Sequence, residues 1–249
     1  MLSTASKLGI SILSIIMMTA CSSKNRDIIP DKQPHELYVD AYKAMASENY
    51  HQARLNLEAI DNRYPFGPYA HQVQLNLIYT YYKDRENELA IAEIDKFIRL
   101  NPSDEHIDYV LYMRGLTNLQ KATDRFLDLL HIDNHERDMA YYETAFKDFN
   151  RLYTSYPNSL YAADAYARMI FIRSMLSKHE LSVIKYYYKK QAYISTARHC
   201  QKLILSYQGS DETKEALQYL IKSYQHLNLT DAATNTQRLY DLNYGNLPQ

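Results

Sequence analysis

The sequence predicts an all-α fold, a superhelix of about five tetratricopeptide-type helical hairpins, from three observations. Chain breakers are scarce: 5 Gly and 7 Pro in 249 residues, about 5% where a soluble domain averages roughly 12%. An alanine-to-proline spacing recurs, from Ala53 to Pro65, Ala90 to Pro102 and Ala145 to Pro157. Tyrosine is abundant, with 25 Tyr beside 6 Phe and no Trp. The glycine deficit argues against hairpin-rich β folds and phosphate-cradling α/β folds, which need glycine turns. A net charge of −1, from 28 basic and 29 acidic residues, predicts no bulk attraction to nucleic acid.

Residues 1–20 read as a secretory signal: Lys7 is the only charge, and Leu8 to Met18 is an apolar run too short to span a bilayer. The small residues before Cys21, in Met18-Thr19-Ala20-Cys21, resemble a bacterial lipobox, so an S-diacylglycerol and an N-acyl chain are expected on Cys21. No other cofactor is expected. Several acyl chains, at about 0.8 kcal/mol per buried CH₂, would hold the protein on a membrane permanently. Ser22 in the second mature position resembles an outer-membrane sorting signal. Ser22 to Pro34 is polar with two prolines, and residues 21–33 are expected to form a flexible tether from Cys21.

Repeats one to three are expected over residues 34–158 and repeats four and five over 159–249. The first frame runs from Pro34 to Gly67, the second starts near His71 and the third near Asp108. The fifth starts near Lys214. Small residues such as Ala41, Ala53, Ala90, Gly115 and Ala145 let paired helices approach, and each proline ends a second helix by lacking an N–H. The third repeat carries an insertion around Lys121 to Met139. In the fourth, the absence of Gly and Pro between Pro157 and Gly209 predicts a long helix from Ser159 to Lys190, then one from Ala192 to Tyr207.

In this frame the first helix of each repeat lines a concave face. Its inward positions in repeats one to three include Tyr38, Tyr42, Tyr79, Tyr82, Tyr109 and Tyr112, six of twelve, where composition alone would place about one. A phenol offers a rigid apolar face and a polar tip, suited to an apolar peptide that keeps its backbone hydrogen bonds. The rival use of these rings is packing between helices. Arg63 and Arg114 are the candidate donors to a peptide's terminal carboxylate.

Catalytic and metal motifs are weak. His131 and His135 lack a third ligand, and His179-Glu180 begins no HExxH motif because residue 183 is Val. Arg198-His199-Cys200 points three side chains in three directions on a helix, so Cys200 reads as a buried apolar residue rather than a nucleophile. The stretch Lys185 to Lys190 mixes basic and aromatic residues as single-strand nucleic-acid surfaces do, but reads better as a solvated helix face. An enzyme is not expected.

The segments Asp61 to Tyr69 (DNRYPFGPY), Gln72 to Leu75, Phe97 to Pro102, Ile107 to Val110 and Tyr112 to Asn118 (YMRGLTN) resemble the BamD, or ComL-type, outer-membrane assembly lipoproteins. That resemblance implies a subunit of the β-barrel assembly machinery on the periplasmic face of the outer membrane. It implies N-terminal repeats that receive unfolded outer-membrane proteins through an aromatic-ended C-terminal strand. It implies C-terminal repeats that hold a POTRA domain of a BamA-type barrel subunit, with Arg198 at that contact, and companion lipoproteins of the BamC or BamE type. The alternative is a repeat lipoprotein organising cell division or peptidoglycan synthesis.

Overall fold

In a computed structural model, the described residues are 29–123 and 135–245, with the side chains of 135–138 left aside. Ten helices run through them, and among the described residues there is no strand. They are α1 (Pro34–Ala46), α2 (Tyr50–Arg63), α3 (Ala70–Lys83), α4 (Asn87–Leu100), α5 (Ile107–Ala122), α6 (His135–Ser155), α7 (Ala162–Lys189), α8 (Tyr193–Ser206), α9 (Glu212–His226) and α10 (Thr230–Tyr244). Each helix packs on the next, and α3 also touches α5 as α7 touches α9, so first helices of adjacent repeats form an inner layer. The all-α hairpin fold is as the sequence predicts. The long α7 and the shorter α8 lie within a few residues of their expected bounds.

Two kinds of turn alternate along the chain. In the first, second, fourth and fifth hairpins three residues join the two helices, and the middle one is left-handed without being glycine: Glu48 (φ 58°), Arg85 (61°), Gln191 (58°) and Asn228 (56°). The next N–H then reaches back to a carbonyl of the preceding helix: Asn49 to Ala44 (2.9 Å), Glu86 to Tyr81 (2.9 Å), Ala192 to Tyr187 (3.0 Å) and Leu229 to Tyr224 (2.9 Å). These bonds satisfy carbonyls that a helix end leaves orphaned. Between hairpins, Tyr64, Asn101, Tyr156 and Tyr207 each donate a last N–H into the helix just ended. Their carbonyls then accept from Gly67, Asp104, Ser159 and Ser210, three residues on. Proline follows the first three of these residues, and Gln208 follows the fourth.

The small frame positions do what close packing requires. Ala41, Ala53, Ala90 and Ala145 are fully buried. At Gly115 an added Cβ would lie 2.5 Å from Cε1 of Phe149, so the ring occupies the space a side chain would take. The apolar interior forms two clusters. A small one, around Leu37, Leu57, Ile60 and Leu77, joins α1–α4, while a large one runs without a break from Leu75 to Leu220. Helix α3 feeds both, with Val73, Leu77 and Tyr81 on one side and Leu75 and Ile78 on the other.

The chain before α1 differs from the expected tether. Arg63 donates from its two terminal nitrogens to the carbonyls of Ile29 (2.8 Å) and Pro30 (2.9 Å), and Lys32 pairs with Asp40 at 2.6 Å. Ile29 also packs on the small core cluster. The expectation of a free segment through residue 33 is therefore corrected at its C-terminal end, because a guanidinium and an apolar contact hold it. Cys21, the signal segment, His131 and most of the insertion lie outside the described residues.

Candidate peptide-binding groove

The inward tyrosines fall into three environments. Tyr38 on α1 stacks on Tyr69, with centroids 4.9 Å apart and planes 19° from parallel. Tyr112 on α5 stacks on Tyr161 at 4.8 Å and the same angle. Tyr69 and Tyr161 cap the first helices of the following repeats, so both stacks are the same joint built twice. Asn76 donates to the Tyr38 hydroxyl (3.2 Å), and the Tyr112 hydroxyl donates to Asp164 (2.6 Å), which also holds Arg168. Burial raises the Tyr112 phenol above its usual range, and the bond to Asp164 adds to that.

Tyr79, Tyr82 and Tyr109 are half-buried against the large cluster. Tyr79 meets Tyr50 edge-on at 6.1 Å, and Tyr109 meets Tyr161 at 5.8 Å. Burial lifts the Tyr109 phenol far above its ordinary value. Tyr42 alone of the six is exposed, at 64%. The six rings expected on the inner face therefore differ in how much of each is left open. Tyr38 and Tyr112 are joint residues, Tyr79, Tyr82 and Tyr109 are half-buried, and Tyr42 is the most open.

Both candidate carboxylate donors are already engaged. Arg63 holds the N-terminal arm, and Arg114 sits 3.1 Å from Asp95 of α4 and 3.4 Å from Asp148 of α6. Asn118 donates to the same Asp148 at 2.8 Å. Burial raises the Asp148 carboxyl, against the opposing pull of Asn118 and Arg114. The YMRGLTN segment is accordingly structural, with a stacked Tyr112, a bridging Arg114, a space-giving Gly115 and a tethering Asn118.

In the C-terminal repeats, Arg198 lies exposed on α8 while Cys200 is buried, as their helical spacing requires. Burial, with the nearby Glu180 charge, pushes the Cys200 thiol up to about 12, which keeps it protonated and a poor nucleophile. Glu180, only 3% exposed, is held by His199 (2.6 Å) and Lys202 (2.7 Å). Of the three rings in the Lys185 to Lys190 stretch, two are used for packing, Tyr187 stacking on His199 at 5.1 Å and Tyr188 meeting Tyr219 edge-on at 5.0 Å, while Tyr186 and the lysines are exposed as a solvated face.

Sequence reasoning missed Tyr69 and Tyr161, although each lies four residues after a frame proline, Pro65 or Pro157. It also missed Phe66 and Leu160, which stand almost wholly exposed on the same two turns.

Among the described residues no helix is long and apolar enough to cross a membrane. Residues 30–239 match the YfiO family of outer membrane lipoproteins. The chain is 40% identical over 232 residues to the outer membrane protein assembly factor BamD of Vibrio cholerae, covering 93% of this chain and 96% of that one. It is 35% identical over 234 residues to BamD of Pasteurella multocida, covering 94% and 89%. With BamD of Neisseria meningitidis serogroup A it shares 36% identity over 238 residues, covering 94% and 89%. An all-α chain of stacked hairpins that matches these proteins along nearly its whole length belongs to the BamD family of outer-membrane lipoprotein assembly factors.

Proposed function

We propose that this protein is a non-enzymatic scaffold of the β-barrel assembly machinery, anchored to the periplasmic face of the outer membrane by acyl chains on Cys21. Its N-terminal repeats take the aromatic-ended C-terminal strand of unfolded outer-membrane proteins. Its C-terminal repeats dock a POTRA domain of a BamA-type subunit, with Arg198 at the contact and BamC- or BamE-type lipoproteins as companions. Family membership supports the assembly role. The observation that carries the substrate reading is the exposed Tyr42 ring on the layer of first helices, which also carries the half-buried Tyr79, Tyr82 and Tyr109.

Because Arg63 and Arg114 are spent within the chain, recognition rests on ring contacts rather than on a terminal charge. The test is binding of one peptide in three forms: ending in Phe, ending in Phe amide, and ending in Ala. The two Phe forms bind alike and the Ala form binds at least about 10-fold more weakly, a difference of roughly 1.4 kcal/mol. Tyr42→Ala removes most of that preference. Equal affinity for the Phe and Ala forms overturns the groove, and a strong loss on amidation restores a cationic site.

A further inference from the structure

We propose that His71, Asp104 and His106 form a binding site for a divalent transition-metal ion of the zinc class, at the joint between the second and third repeats. His71 lies in the first turn of α3, Asp104 in the turn between α4 and α5, and His106 caps α5. The Nε2 atom of His71 is 2.7 Å from Oδ2 of Asp104, and Nδ1 of His106 is 3.0 Å from Oδ1. One ligand atom from each residue lies within 4.8 Å of the others, the one such trio of metal-binding side chains among the described residues.

Two imidazoles and one carboxylate suit zinc, copper or nickel, whereas magnesium and calcium call for oxygen ligands. Bonds of about 2.0–2.1 Å in a tetrahedron separate ligand atoms by roughly 3.3 Å. The 2.7 Å contact would then open by about 0.6 Å, within the reach of a side-chain rotation. The ligands are already oriented. The backbone N–H of His106 donates to Oδ1 of Asp104 at 2.8 Å, and the His71 ring packs on Phe97 with centroids 5.5 Å apart. His71 is exposed and the other two are half-exposed, so an ion reaches them from solvent and keeps water at its open positions.

The location gives the site a role. Leu75 and His106 occupy the places that tyrosines fill at the stacked joints, Tyr38 with Tyr69 and Tyr112 with Tyr161. A metal there joins α3 to the start of α5 where no phenol stack does.

The experiment titrates the untagged mature chain with Zn²⁺ against a chelating dye, with Mg²⁺ as control, and follows thermal unfolding. One equivalent of Zn²⁺ binds and raises Tm, and Mg²⁺ does neither. His71→Gln and His106→Gln each weaken binding at least about 10-fold. Asp104→Asn, which keeps the side-chain shape, does the same, and helix content by circular dichroism shows that all three variants are folded. His131→Gln with His135→Gln leaves the affinity unchanged. Absence of saturable Zn²⁺ binding, or binding that survives the His71→Gln/His106→Gln double variant, overturns the proposal and leaves the trio as hydrogen bonds that order a turn.

Discussion

At Gly115 the ring of Phe149 sits where a Cβ would be, so Gly115→Ala is expected to destabilise by about 1–3 kcal/mol through overpacking, seen as a lowered Tm. The same substitution at Gly209, where an added Cβ meets nothing but φ is +78°, would act through backbone strain instead. Cys200 gives a second expectation. Burial holds its thiol, and the Tyr81 and Tyr109 phenols, neutral above their ordinary values. For an acid whose folded pKa is raised, the stabilisation is complete below the unfolded value and is lost as pH climbs past it. Stability should therefore hold through neutral pH and fall above about pH 9, where the unfolded thiol ionises first. Native Cys200 should resist a thiol reagent at pH 8 and react on adding denaturant, while rapid native labelling would contradict its burial.

Among elements, the hairpins were readable and their inner turns were not. Alanines at the helix crossings and prolines after the second helices are chemically marked, because only small side chains and a missing N–H serve there. The left-handed residue carries no such mark, being Glu48, Arg85, Gln191 and Asn228 in turn. Holding an L-residue left-handed costs roughly 1–2 kcal/mol, and glycine returns part of that gain as unfolded-state entropy. Gln191→Gly is thus expected to stabilise by about 0.5–1 kcal/mol and to raise Tm by about 2 °C. A lowered Tm would mean that the Gln191 side chain contributes more than its backbone costs. The groove was half legible for a related reason: spacing places a tyrosine on the inner layer, but a partner from the next repeat decides whether its ring is spent. Tyr38 and Tyr112 meet such partners and Tyr42 does not. Likewise Arg63 and Arg114 looked available because their acceptors, the Ile29 and Pro30 carbonyls, Asp95 and Asp148, lie far away in sequence.

Over the whole molecule, stacked repeats derive stability from their neighbours, and terminal repeats have neighbours on one side only. The unbroken cluster from Leu75 to Leu220 runs through the inner hairpins, while the smaller cluster joins the first hairpin to the second. Hydrogen exchange should accordingly be slowest in α5 and α7 and fastest in α1 and α10, with α3, which feeds both clusters, between them. Uniform protection would indicate one cooperative unit. The grip of Arg63 on Ile29 and Pro30 sets a working distance as well. If Cys21 carries the proposed acyl chains, the eight peptide steps from there to Ile29 can span at most about 27 Å. The first hairpin is then leashed within some 3 nm of the inner leaflet surface. A longer leash, made by inserting residues ahead of Ile29, or a loosened grip in Arg63→Ala, would let it stray farther from that surface.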